Sequence, residues 1–92
     1  MDAALFSNSE FDQEYEARVA AMLADIGNAL DRPGATIGKE GAEVLRVLHS
    51  LKGLAAVYGD QQRVAVCHRL EDELAATITW RGFRDVFISN PL

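Results

Sequence analysis

Val44-Leu45-Arg46-Val47-Leu48-His49-Ser50-Leu51-Lys52-Gly53-Leu54-Ala55-Ala56-Val57-Tyr58 decides how this 92-residue chain folds. Val44, Val47, Leu48, Leu51, Leu54, Ala55 and Tyr58 recur at spacings of three and four, the period of a helix with one apolar face. Rotating by about 100° per residue from Leu51 puts Val44, Val47, Leu48, Ala55 and Tyr58 within roughly 60° of it. The stretch therefore predicts a helix from about Lys39 to Tyr58, stopped by Gly59, with Asp60 placed to cap the next one. Gly38 and Gly41 are poor helix formers and predict a frayed start.

The same period extends outward in both directions. Phe11, Tyr15, Val19, Met22, Ile26 and Leu30 make one stripe of a preceding helix, for which Ser7 with Glu10 has capping-box spacing and Ser9 is a competing cap. Asp31-Arg32-Pro33-Gly34 ends that helix. Downstream, Val64, Cys67, Leu70, Leu74 and Ile78 predict a helix from Gln61 to Ile78. Trp80, Phe83, Val86, Phe87 and Ile88 then crowd a short final segment before Pro91. No segment alternates with period two and no hairpin dipeptide separates two such runs, which makes a β reading poor. Short connections make consecutive helices antiparallel. The expected architecture is a single all-α domain over residues 1–92, an antiparallel helical bundle with a short fourth helix. The aromatic C-terminal segment could close that bundle or meet a second copy in a homodimer.

Composition narrows the function classes. The chain is 49% hydrophobic and 25% charged, with a net charge of −5. That balance suits a globular domain and lacks the basic footprint of a nucleic-acid binder. Cys67 is the only cysteine, so no internal disulfide forms, and its neighbours Val64, Leu70 and Leu74 make it core filler. The N-terminus has no basic and apolar leader pattern, and no apolar run approaches the ~20 residues of a membrane span. The expected location is cytoplasmic, away from the membrane.

The face opposite the buried stripe is unusual. His49 falls at about 160° from Leu51, with Gly53 and Ala56 beside it, Leu45 further round, and Arg46 and Lys52 at the borders. A solvated face would be crowded with charge. This one is small, partly apolar and basic at its edges, which resembles a docking surface. Gly53 in mid-helix costs about 1 kcal/mol against alanine, so either tight packing or a partner's approach should require it. On the next helix Glu71 projects about 40° from Cys67, close to the apolar stripe. A partly desolvated carboxylate wants a donor. The Nδ1–H of His49 would serve, leaving Nε2 free as a nucleophile suited to carrying a phosphoryl group. Lys52 could neutralise a phosphoryl oxygen, and His68, one turn before Glu71, could join the network. Two other readings use the same residues. His49, His68 and Glu71 form a two-histidine, one-carboxylate set that could hold zinc or iron, although the Lys52 ammonium opposes a cation. The chain could also be a helical interaction module with no chemistry of its own.

Leu48-His49-Ser50-Leu51-Lys52-Gly53-Leu54-Ala55, Gly59 and His68-Arg69-Leu70-Glu71 together resemble the histidine phosphotransfer (HPt) family. The histidine–glutamate pair makes the chain most similar to the N-terminal phosphoacceptor domain of CheA-type chemotaxis kinases. The resemblance implies a phosphoryl carrier rather than an enzyme. His49 would be the phosphoacceptor, with Lys52, His68 and Glu71 as its hydrogen-bonding network. A histidine kinase would supply the phosphoryl group from ATP, and an aspartate of a response-regulator receiver domain would take it. Leu45, Arg46, Gly53 and Ala56 would meet the receiver. ATP and Mg²⁺ belong to the partners, so no cofactor or metal is expected on this chain. The fourth helix is shorter here than in CheA-type domains.

Overall fold

A computed structural model describes residues 3–77 and 79–92, with side chains from residue 13 onward. It contains four helices: α1 (Ala3–Asp31), α2 (Lys39–Val57), α3 (Gln61–Ala76) and α4 (Trp80–Ser89). Among the described residues there is no strand. α1 is already helical at Ala3, so it does not begin at the cap expected from Ser7 or Ser9, whose side chains lie outside the described residues, as does that of Phe11. α3 stops at Ala76, short of Ile78, which is also outside them.

The contacts make each neighbouring pair antiparallel. Arg32 at the end of α1 meets Glu40 and Glu43 at the start of α2, while Tyr15 stacks on Tyr58 at the other end, ring centroids 4.7 Å apart. Between α2 and α3, Gly41 faces Leu74, whereas Gly59 and Asp60 form the turn. Arg69 reaches Asn90 across α3 and α4. The core takes Tyr15, Val19, Ile26, Ala29 and Leu30 from α1, and Val44, Leu48, Leu51, Leu54 and Ala55 from α2. Cys67, Leu70 and Leu74 of α3 and Phe83 of α4 complete it. Met22, Val47, Tyr58 and Val64, expected inside, are half-buried at its edge.

The α2–α3 turn follows from two residues. Gly59 takes φ 74°, a left-handed conformation that costs glycine little. Its N–H donates to Ala56 O and the Asp60 N–H to Ala55 O, closing the end of α2 in a Schellman arrangement. Asp60 then caps α3, Oδ1 accepting from Arg63 N at 3.1 Å, while Oδ2 accepts from the Tyr15 hydroxyl at 2.7 Å. One carboxylate thus ties the turn to α1. Burial pushes that carboxyl group up, but the hydrogen bonds from Tyr15 and Arg63 outweigh it and hold Asp60 below its ordinary value.

The start of α2 does not behave as its two glycines predict. Thr36 Oγ1 accepts from Lys39 N, and Glu40 Oε1 accepts from Thr36 N at 2.8 Å. Glu40 N already donates to Thr36 O, a helical spacing. Gly38 occupies the N-cap position without a side-chain cap, so these bonds from Thr36 and Glu40 brace the turn before it, and Glu40, 3% exposed, is held by Arg32 as well. Gly41 is buried against Ile37 and Leu74.

α4 is capped by Thr79, whose Oγ1 accepts from Gly82 N. Phe83 is fully buried, stacked on Trp80 and tilted against Phe87. Arg84 reaches back to Asp31 of α1 at 3.0 Å. The aromatic groups are thus used within the chain, and Ile88 alone of the large apolar residues in this segment stays exposed.

Candidate functional site

α2 owes its position to Val44, Leu48, Leu51 and Ala55, all fully buried, which seat it against α1 and α3. With that stripe fixed, rotation along the helix turns His49 outward, and its side chain is 78% exposed. Glu71 stands across from it on α3. Its neighbours Cys67, Leu70 and Leu74 are buried, and its own side chain is 14% exposed. His49 Nδ1 lies 3.4 Å from Glu71 Oε2, and Lys52 Nζ donates to Glu71 Oε1 at 2.5 Å. One desolvated carboxylate therefore faces both side chains, a separate oxygen for each. The imidazole has its Nδ1 edge turned to the carboxylate and the rest of the ring in solvent. Nδ1 thus stands on the carboxylate side of the ring and Nε2 on the other.

The structure does not bring His68 to this group. Its side chain is 67% exposed, and Nε2 lies 3.5 Å from Asp72 Oδ2, one turn along the same helix. His68 and Glu71 are about 60° apart around α3, enough for Glu71 to face α2 while His68 faces water. The proposed metal set is therefore not assembled, and among the described residues no group of three His, Cys, Asp or Glu side chains could hold a metal ion. Cys67, fully buried, has its thiol pushed up to about 11 by burial, with the Glu71 charge adding to it. It is a packing residue.

The outer face of α2 carries the other candidates. Leu45, Arg46, Gly53 and Ala56 are all exposed beside His49. Among the described residues, a Cβ built on Gly53 would meet nothing within 4 Å, so no packing among them requires the glycine. Leu45, Arg46, His49, Ser50 and Glu71 line an open depression of about 450 Å³. Sequence reasoning missed Val57, which is 82% exposed and extends this face toward the α2–α3 turn. Its signal was available: an apolar residue about 120° off the buried stripe of an amphipathic helix.

The fold and the site define a helical bundle that presents an exposed imidazole beside a carboxylate of the adjoining helix. The family model of the Hpt domain matches residues 10–85, most of the chain. The chain belongs to the Hpt domain family. Domains of this family carry phosphoryl groups on histidine in phosphorelays, between histidine kinases and receiver domains, and act as carriers rather than enzymes. No curated protein and no solved structure shows a significant match. Among the described residues, no helix is long and apolar enough to cross a membrane.

Proposed function

We propose that His49 is the phosphoacceptor of this domain. The carrying observation is the pairing of an exposed imidazole with a desolvated carboxylate on its Nδ1 side. Nε2 attacks the γ-phosphorus of ATP held by a histidine kinase; the N–P bond forms as the bond to the β–γ bridging oxygen breaks, and ADP leaves with that electron pair. Glu71 keeps the Nδ1 proton in place and favours the positive charge that the ring acquires. In the second transfer, an aspartate of a receiver domain attacks the phosphorus and the pair of the N–P bond returns to Nε2. Mg²⁺ and ATP stay with the partners. The bundle supplies a rigid, accessible nucleophile and the surface around it.

That surface is the outer face of α2, where Leu45 and Arg46 flank the imidazole and Gly53, Ala56 and Val57 continue the exposed face toward the α2–α3 turn. Gly53 leaves room for a partner to approach the helix backbone. The finer assignment, to the phosphoacceptor domain of a CheA-type chemotaxis kinase, rests on Glu71 reaching His49 from α3. His68, which faces Asp72, does not add to it.

The direct test is phosphorylation in trans by kinase catalytic cores, read as acid-labile phosphate and mapped by mass spectrometry. His49→Gln should fold normally and accept nothing; label on that variant at the wild-type level would move the site elsewhere. Faster transfer from a CheA-type core than from sensor-kinase cores would support the finer assignment, and the reverse order would end it.

A further inference from the structure

A phosphoryl group on His49 would carry between one and two negative charges, beside a carboxylate that already stands 3.4 Å from the ring. The nearest obvious cation, Lys52, is committed to that same carboxylate. The pair is neutral as a unit, and the chain around it carries a net charge of −5. The phosphorylated state therefore needs a further positive group on this face.

Arg46 meets that need. It sits three residues before His49, the spacing at which helix side chains become neighbours, and it lines the same depression. Its side chain is exposed and, among the described residues, makes no hydrogen bond or close ion pair, its charge acting only at longer range on Glu43. Glu43, the acid one turn before it, is held at both oxygens by Arg32. An uncommitted guanidinium beside a phosphoacceptor is the side chain best shaped to take two phosphoryl oxygens at once.

We propose that Arg46 binds the phosphoryl group on Nε2 of His49, while Lys52 remains with Glu71. The inference rests on His49 being the phosphoacceptor, and it assigns Arg46 a task beyond contact with a receiver. Arginine serves this end better than lysine because its fork fixes the orientation of the group it holds.

The test uses phosphoramidate, a donor with no protein surface to dock. Nε2 forms the new N–P bond, the donor's own N–P bond breaks, and ammonia leaves with that electron pair; the Nδ1 proton stays facing Glu71. Wild type, Arg46→Gln and Arg46→Lys are labelled this way, and the phosphohistidine is titrated by ³¹P NMR with no partner present. A bound guanidinium favours the dianion, so Arg46→Gln should raise the phosphoryl midpoint by about half a unit, with Arg46→Lys between. Identical midpoints in all three proteins would overturn the proposal, even if Arg46→Gln bound a receiver more weakly, because Arg46 would then be a docking residue alone. Wild-type protein that takes no label at His49 would instead refute the phosphoacceptor reading on which the proposal stands.

Discussion

Gly53→Ala should make the protein more stable. The glycine lies inside α2, in ordinary helical conformation, and a Cβ there meets nothing within 4 Å among the described residues. No clash offsets the gain in helix propensity, so the substitution should stabilise by nearly its full value, about 1 kcal/mol. For a domain of this size that corresponds to a rise in Tm of roughly 4–8 °C. The same space gives the opposite expectation for binding. A methyl group on the face beside His49 intrudes on a partner that packs against the backbone, and Gly53→Trp intrudes much further. Thermal melts by circular dichroism should therefore show Gly53→Ala above wild type. Titration calorimetry with the cognate receiver should show affinity falling from glycine through alanine to tryptophan. A lowered Tm for Gly53→Ala would refute the claim that the position is open. Receiver affinity unchanged in Gly53→Trp would refute the claim that a partner is what keeps glycine there.

Glu71→Gln should leave the fold intact and slow phosphorylation of His49 by roughly 10–100-fold, because the neutral amide no longer favours the charged ring; unchanged transfer kinetics would show that the carboxylate does not act on the imidazole. Phe83→Ala should cost about 3–5 kcal/mol, the usual range for a fully buried aromatic ring, and a denaturant midpoint near that of wild type would show that α4 is not part of the cooperative core. Asp60 has a depressed pKa in the folded state, so its stabilising contribution is complete above the unfolded value of about 4 and is lost as pH falls through the folded value. The stability difference between wild type and Asp60→Asn, measured by urea unfolding, should accordingly shrink from pH 6 to pH 3, and a constant difference would refute the linkage.

Much of the bundle was legible because burial and spacing agree. In α2 the apolar residues fall on one narrow stripe, so the orientation of every other side chain follows by rotation, His49 included. The same operation applied to α3 places Glu71 at the edge of its stripe, facing the neighbouring helix. What escaped was pairing that rotation leaves open. The start of α2 reads as weak from Gly38 and Gly41, yet Thr36 Oγ1 accepts from Lys39 N, Glu40 Oε1 accepts from Thr36 N, and Arg32 holds the same carboxylate. Threonine with glutamate four residues on was a visible signal, hidden because the usual capping spacing is three. Thr79 and Gly82 repeat the lesson at α4, where the cap lies just outside the aromatic run.

His68 marks the limit of reading a site from spacing. Residues three and four apart on a helix are both neighbours, so His68 had Glu71 and Asp72 equally available in sequence. The choice is made by desolvation. Glu71 lies against the core, where Lys52 and His49 approach it from α2, and its two oxygens are taken by them. Asp72 is exposed and free to meet His68. A carboxylate already facing a cation and an imidazole has little to offer a second imidazole that would have to leave water to reach it. The site therefore depends on a contact between helices rather than on a motif along one of them. The effective partner of His49 is Glu71, which lies twenty-two positions further along the chain and faces it only because Leu48, Leu51, Leu70 and Leu74 set how the two helices pack.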